Sequence, residues 1–432
     1  MIALNGRRLS TPTQTRTDVH RVTEHRCRSC GAALDHVFAD LGSSPLANRY
    51  LTEGELEEPE RFYPLRVYVC EDCFLVQLPP VVPPAEIFDD YPYFSSYSDS
   101  WLRHARAYAE QMVGRFDLGS SNKVIEIASN DGYLLQYFRA QGVPVLGIEP
   151  AANVAAVAQQ AGIPTRIEFF GLETARRLRA EGEQGSLVVG NNVLAHVPDL
   201  TGFVEGLELL LEPSGVVTME FPHLLRLIES GEFDTIYHEH LFYFSLIAVE
   251  RVFAQAGLTL FDVEELSTHG GSLRIYARRA DDGSKPVDAA VDDLRSREQA
   301  AGLERLDVYE SFDERAREVK RGLLDFLIRR KREGKAIVGY GAPAKGNTLL
   351  NYCGIRRDFL DYVVDRSPHK QGFFLPGTHL PIVDPSVVSE TKPDYLLILP
   401  WNLKDEIMEQ MSDVRAFGCK FVVPIPEITV HD

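Results

Sequence analysis

Two cysteine pairs constrain this chain more than any other feature. Cys27 and Cys30 stand two residues apart, as do Cys70 and Cys73, while Cys353 and Cys419 stand alone. A Cys-x-x-Cys pair lets two thiolates reach one ion at about 2.3 Å, and two pairs complete a tetrahedral zinc site. Four sulfur ligands leave no open position for water or substrate, so the spacing predicts one structural zinc per chain rather than a catalytic one. Unrelated buried thiols or a redox pair are the alternative. The 39 residues between the pairs, 31–69, exceed a common ribbon loop, so a small sub-domain must bridge them.

Composition then narrows the class. The chain has 432 residues, with 45 Lys and Arg against 63 Asp and Glu, a net charge of −18. At roughly 100–200 residues per domain, that length predicts two to four domains. The acidic balance argues against a nucleic-acid surface, which needs a basic patch, but leaves room for a local cationic pocket. An apolar share of 44% allows sizeable cores. No run approaches the ~20 consecutive apolar residues of a membrane span, and the start, MIALNGRRLSTPTQTRTDVH, lacks the apolar core of a secretory signal. The expectation is a cytoplasmic protein of several domains, with neither membrane nor nucleic acid as a partner.

Residues 1–20 read as a disordered tail and 21–84 as the zinc module, closing in the Pro-rich LPPVVPPAEIF. The aromatic segment YPYFSSY (91–97) follows; its tyrosine hydroxyls suit a ligand pocket, although such rings more often pack. Over 85–280, strands and helices alternate. VIEI (124–127) feeds a turn holding Asn130, Asp131 and Gly132, and VPVLGIEP carries a second strand to Glu149. Strand, glycine turn, helix and strand ending in an acid is the opening unit of a Rossmann-like nucleoside site. The turn admits the ligand to the backbone, and the carboxylate accepts from both ribose hydroxyls. Because GxGxxG is missing, nothing is set to cradle a pyrophosphate. A ribose-bearing ligand without phosphate, such as S-adenosylmethionine (SAM), fits better.

The strand ending at Asn191-Asn192, the strand SGVVTMEFP and the hairpin LTLFDVEELSTHGGSLRIYARR continue the pattern. Residues 281–335 read as a charged helical connection with a solvated face. Over 336–432 the strand of KAIVGY runs into Gly341, Ala342, Pro343, Ala344, Lys345, Gly346 and Asn347, and FLDYVVD ends at Asp365. That loop, at a helix N-terminus, suits an anion. The expected class is α/β: an N-terminal zinc module, a central doubly wound SAM-binding Rossmann-like domain and a smaller Rossmann-like C-terminal domain.

The Tyr237-His238-Glu239-His240 cluster places four titratable side chains together, and histidine is the usual proton carrier near neutral pH. As a strand, it would put His238 and His240 on one face; as a loop, all four could converge. The two histidines lack the i,i+4 spacing of a helical zinc protease, so a catalytic zinc is disfavoured. His196 falls at the carboxyl edge of the sheet, where open α/β folds bind ligands. His269, before Gly270-Gly271, reads as a turn residue rather than a catalyst.

Taken in order, CRSCG…CEDC, VIEIASNDGYLLQYF, GNNVLAHVPDL, FDTIYHEHLFYFS, THGGSLRIYA and GYGAPAKGNTLL resemble the nucleotide-sugar C-methyltransferase family, which branches the deoxysugars of antibiotics. The resemblance runs from the cysteine pairs to the end of the chain. It implies a SAM-dependent enzyme acting on a thymidine-diphosphate (dTDP) 4-keto-deoxysugar, at carbon 3 or carbon 5. It puts the base on His240 and lines the pocket with Tyr237, Glu239, His196 and Tyr91. SAM contacts would fall on Glu126, Ser129, Asn130, Gly132, Glu149 and Asn191. Apart from the resemblance, a helix N-terminus with one cation suits a diphosphate at Lys345, Gly341 and Asn347, and a tight strand–helix turn is the alternative. Two other classes compete. A nicotinamide-dependent sugar oxidoreductase would use GYGAPAKG and Asp365, but leaves the SAM-like centre unexplained. A zinc-ribbon scaffold that merely binds a nucleotide leaves the YHEH cluster unexplained.

Overall fold

The computed structural model describes residues 25–83 and 95–432. Three strands open it: β1 (His36–Ser44), β2 (Tyr63–Val69) and β3 (Val76–Gln77), paired antiparallel in that order. They are the sub-domain that the long gap between cysteine pairs requires. Alternation is clean along β2, where Leu65, Val67 and Val69 are buried while Pro64 and Arg66 face outward.

The central sheet holds β4 (Val124–Ile127), β5 (Val145–Ile148), β6 (Thr165–Arg166), β7 (Gly185–Asn191), β8 (Leu211–Pro222), β10 (Leu258–Leu266) and β11 (Ser272–Arg279), in the order β10-β11-β8-β7-β4-β5-β6. Its parallel strands are buried on both faces, as the unbroken apolar runs VIEI and VLGI demand. β11 enters antiparallel between β8 and β10, so the hairpin closes the sheet. The chain runs outward from β4 to β6, then returns to lay β7 on the other side of β4. That reversal opens a crevice at the carboxyl ends of β4 and β7.

The remaining strand of the middle region, β9 (Phe242–Tyr243), does not join this sheet. It pairs with β3, so the zinc module's sheet is completed by the two residues that start just beyond His240. The C-terminal sheet repeats the doubly wound plan on a smaller scale. It comprises β12 (Ile337–Tyr340), β13 (Val363–Val364), β14 (Ile382–Val383), β15 (Tyr395–Ile398), β16 (Lys420–Val423) and β17 (Thr429–His431). In the order β14-β13-β12-β15-β16-β17, only β17 is antiparallel.

Helices Ala289–Ala300, Leu306–Glu310 and Phe312–Arg332 join the two larger sheets. They do more than connect. Phe312, Ala316, Val319, Leu323 and Leu327 form one buried stripe at helical spacing, and the Phe312 ring stacks on Phe38 of β1 at 4.4 Å. One continuous core therefore joins the zinc module, the long helix and the C-terminal sheet. The solvated face expected here also has an exception. Glu298 is fully buried, meets His223 Nε2 at 2.7 Å and accepts the amides of Leu246 and Ile247 at 2.7 and 2.9 Å. Among the described residues no helix is long and apolar enough to cross a membrane.

Candidate active site

A cavity of about 630 Å³ opens at the crevice between β4 and β7 and reaches both the zinc module and the C-terminal domain. On the crevice side, the turn after β4 bends through left-handed residues at Ala128, Asn130 and Gly132. Bending this way aims two amides at one carboxylate: Asn130 donates to Glu149 Oε2, and Ala151 to Oε1, each at 2.9 Å. Each oxygen keeps a lone pair for a ribose hydroxyl. Burial raises the Glu149 carboxyl above its ordinary value, opposed by those two amides. Asn191 Nδ2 meets the Tyr133 hydroxyl at 3.5 Å, while its Oδ1 is buried with no partner among the described residues. Ile127, Ile148 and Ala151 supply an apolar wall. An orphaned acceptor, a ribose-ready carboxylate and that wall fit the adenosyl end of SAM.

Three residues expected to touch SAM do not line the cavity. Glu126 is fully buried in β4, and burial with Glu149 and Asp131 nearby pushes its carboxyl well above the usual range. Ser129 packs against the neighbouring strand, where a Cβ on Gly147 would come within 2.4 Å of its Oγ. A Cβ on Gly132 would meet Ile163 Cγ1 at 3.0 Å, at a φ of +81°. These residues build the turn that presents Asn130 and Glu149.

The YHEH segment is a tight turn, with the His240 amide donating to the Tyr237 carbonyl at 2.9 Å. Tyr237, Glu239 and His240 reach the cavity, but His238 turns away, its Nε2 lying 3.2 Å from the Pro64 carbonyl of the zinc module. His240 Nδ1 lies 2.8 Å from the Thr235 carbonyl, which can only accept, so the proton sits on Nδ1. Nε2 then carries the lone pair and accepts from the Tyr237 hydroxyl at 2.8 Å. Burial, aided by His196, His269 and Lys345, holds His240 well below its ordinary value, so the ring is neutral at pH 7. The His196 ring stands edge-on at 4.8 Å, and burial pushes it down to about 4. Glu239 accepts from Asn48 Nδ2 at 2.6 Å, and burial lifts its carboxyl to about 7.

The C-terminal domain closes the far wall with Lys345 and Lys370. Lys345 donates to Asn402 Oδ1 at 3.0 Å and lies 4.6 Å over the Trp401 ring; burial lowers its ammonium. Lys370 donates to the Ala342 carbonyl at 2.9 Å, which Tyr50 of the zinc module also reaches, at 2.6 Å. Gly341 and Asn347, expected beside Lys345, do not line the cavity. A Cβ on Gly341 would strike Pro400 Cδ at 2.6 Å, and Asn347 Nδ2 donates to the Ala47 carbonyl at 2.6 Å, tying the C-terminal domain to the zinc module. Asp365 also turns inward on its own loop, accepting from Ala342 at 2.7 Å and Ser367 at 2.8 Å. Tyr91 lies outside the described residues. Asn48, Tyr50, Trp101 and His269 line the cavity without having been expected there.

The C-methyltransferase NovU of Streptomyces niveus is 35% identical over 401 residues, covering 93% of this chain and 95% of that protein. The chain belongs to the C-methyltransferase family. Family models match it in three consecutive blocks: a zinc binding domain over 27–88, a methyltransferase domain over 101–263 and a C-methyltransferase C-terminal domain over 267–426. Solved structures align with less than half of the chain. The magnesium protoporphyrin IX methyltransferase of Synechocystis with bound SAM shares 14% identity at TM-score 0.33, covering 45% of this chain and 88% of that one. A SAM-dependent methyltransferase of Clostridium acetobutylicum shares 10% identity at TM-score 0.34, covering 41% and 92%. The family match, and not these alignments, makes this C-methyltransferase a SAM-dependent enzyme, and the scaffold and nicotinamide readings fall away.

The C-methyltransferase also carries the four-cysteine corner in a form ready for metal. Its four Sγ atoms lie within 4.8 Å of one another, with Cys27 to Cys73 at 3.6 Å and Cys30 to Cys70 at 3.4 Å. Sulfurs around a tetrahedral zinc stand roughly 3.8 Å apart given a Zn–S bond of about 2.3 Å. The donor set therefore fits zinc, held by Cys27, Cys30, Cys70 and Cys73. Each knuckle ends in a left-handed residue, Gly31 at φ 80° and Phe74 at φ 57°. Gln77 Nε2 donates to Cys27 Sγ at 3.1 Å, and Gln77 Oε1 accepts the Arg28 amide at 3.0 Å. Since Gln77 is in β3, opposite Phe242 of β9, the metal corner braces the strand that follows His240.

Proposed function

We propose that this enzyme methylates the carbon next to the ketone of a nucleotide-linked keto-deoxysugar, with His240 as the base. The observation that carries this reading is the hydrogen-bond chain Thr235–His240–Tyr237, which holds the ring proton on Nδ1 and leaves the lone pair on Nε2 inside the cavity. Substrate entry displaces the Tyr237 hydroxyl from Nε2. His240 then takes the proton from C3, or C5, and the C–H electron pair moves into the ring as the ketone oxygen gains charge. The freed Tyr237 hydroxyl donates to that oxygen. SAM, when bound, supplies an electrophilic methyl on a sulfonium whose sulfur leaves with the bonding pair. Asn130, Glu149 and Asn191 hold the adenosyl end, so the donor enters from the crevice side, facing the base across the cavity.

Glu239, neutral or charged near pH 7, offers a hydrogen bond to a sugar hydroxyl. His196 completes the proposed sugar pocket. Lys345 and Lys370 are two cations on one wall, suited to the diphosphate of a dTDP sugar. The three sheets support a division into a zinc module to about residue 84, a SAM domain to 280, a helical connection to 335 and a C-terminal domain beyond. The test is incubation with SAM and dTDP-4-keto-6-deoxyglucose in deuterated water, followed by mass spectrometry and NMR. A new carbon-bound methyl, with deuterium entering the same carbon when SAM is withheld, supports the reading and chooses C3 or C5. No exchange and no methyl across several keto-sugars overturns it.

A further inference from the structure

His269 reaches the cavity from a tight loop. It joins β10 to β11, and three consecutive residues, His269, Gly270 and Gly271, take left-handed φ values of 57°, 95° and 131°. The glycines are there because the loop is wedged. A Cβ on Gly270 would come within 2.6 Å of Glu232 Oε1 and 2.8 Å of Trp401, and one on Gly271 within 2.8 Å of the Arg226 side chain. The Gly271 amide returns to the Thr268 carbonyl at 2.9 Å, and the His223 amide donates to the Gly271 carbonyl at 3.0 Å. A side chain at positive φ is uncommon, and such positions cluster at working sites.

The loop's position suits chemistry. The His269 ring stands edge-on to Trp101 at 5.5 Å, and Trp101 stacks on Tyr133, the partner of Asn191 on the SAM side. Lys345, which lines the same cavity, acts on the ring through its charge. His269 thus stands where the donor half of the cavity meets the substrate half. Its Nδ1 is buried with no hydrogen-bond partner among the described residues. Burial, with Lys345 beside it, lowers the ring to about 4, so at pH 7 it is a neutral imidazole that can donate one N–H without trapping a proton. His196 is less suited to this task, since it packs against His240 on the base side.

We propose that His269 is a further catalytic residue, which donates a hydrogen bond to the substrate's ketone oxygen and stabilises the enolate formed when His240 takes the neighbouring proton. The inference rests on the enolate reading of the site. One preorganised donor to a developing oxyanion contributes about 10²–10³ in rate.

The test uses the full-length zinc-loaded enzyme and dTDP-4-keto-6-deoxyglucose in deuterated water without SAM, read by NMR as deuterium entry beside the ketone. His269→Gly removes the imidazole and relieves the backbone; His269→Asn tolerates the same φ and retains an N–H. The expected result is exchange slowed 10²–10³-fold in His269→Gly, partly restored in His269→Asn, with SAM affinity within about twofold of wild type and melting temperature unchanged or raised. Wild-type exchange rates in His269→Gly overturn this proposal alone, leaving His269 as a turn residue. Absence of exchange in the wild type overturns the enolate reading and this proposal with it.

Discussion

The cysteine corner and the histidine cavity both gather ionisable side chains, yet by opposite means. In the corner, each pair is brought together by its own backbone: Cys27 bonds Ala32 and Cys70 bonds Leu75, with one left-handed residue closing each knuckle. In the cavity, His196, His240, His269, Lys345 and Asn48 come from five separate stretches of chain and meet only when three sheets have assembled. The corner is a local solution repeated twice. The cavity is a product of the whole fold, and burial then sets the proton affinity of nearly everything in it.

The sharpest way to break this contrast is to remove the metal. A structural zinc contributes about 10 kcal/mol or more to the folding of small metal-bound modules. Chelation, or Cys70→Ser, is expected to lower the melting temperature by more than ~10 °C and abolish methyl transfer, since β9 and His240 lose their brace. Metal analysis should find about one zinc per chain; none would remove the corner's role altogether. Next comes the proposed base. His240→Asn is expected to cost about 10²–10⁴-fold in methyl transfer, with SAM affinity and melting temperature near wild type. A comparable fall in melting temperature would show the cavity to be as structural as the corner.

A smaller effect tests the seam between the two regions. Asn48→Ala leaves the buried Glu239 carboxyl without its 2.6 Å donor, at a cost of about 1–3 kcal/mol. The expected result is a melting temperature lower by a few degrees with zinc retained, and metal loss would show that the regions are not separable. The smallest expected effect is on pH dependence. Glu239 rises to about 7 from an ordinary 4.5, so its contribution to stability is complete below 4.5 and is lost as pH rises through 7. His196 and His269 fall to about 4 from 6.5, so theirs is complete above 6.5 and is lost as pH falls toward 4. Denaturant unfolding at pH 5.5 and 8 should show less loss at the higher pH in Glu239→Gln than in wild type. Equal losses would mean that Glu239 is charged in the fold.

The same contrast explains what could be read from residues alone. Cys-x-x-Cys spacing carries its geometry with it, and so do the strand–turn–strand unit at 124–149 and the strand–loop–helix at 337–353. Side-chain direction was harder. Ile127 lines the cavity, so Glu126, one residue earlier in β4, must point the other way, and proximity to a motif does not amount to facing the ligand. Gly341 and Gly132 carry the marks of ligand loops, yet their missing Cβ atoms make room for Pro400 and Ile163. His269 does occupy a turn, as the two glycines after it suggest, but nothing local says that the turn ends in the cavity. Asn48 and Tyr50 sit between the cysteine pairs and bear no pattern; only the docking of the zinc module brings them to the site.

Two residues of β9 have a consequence in time. The ribosome releases the cysteine pairs early, but the sheet they anchor lacks its last strand until Phe242 and Tyr243 have been made. The tie from Asn347 to Ala47, and the Lys345 wall, arrive later still. Nascent domains fold in order of synthesis, so the middle of this protein can take shape while the cavity beside His240 still lacks its far wall. The complete cavity therefore exists only after translation has nearly ended.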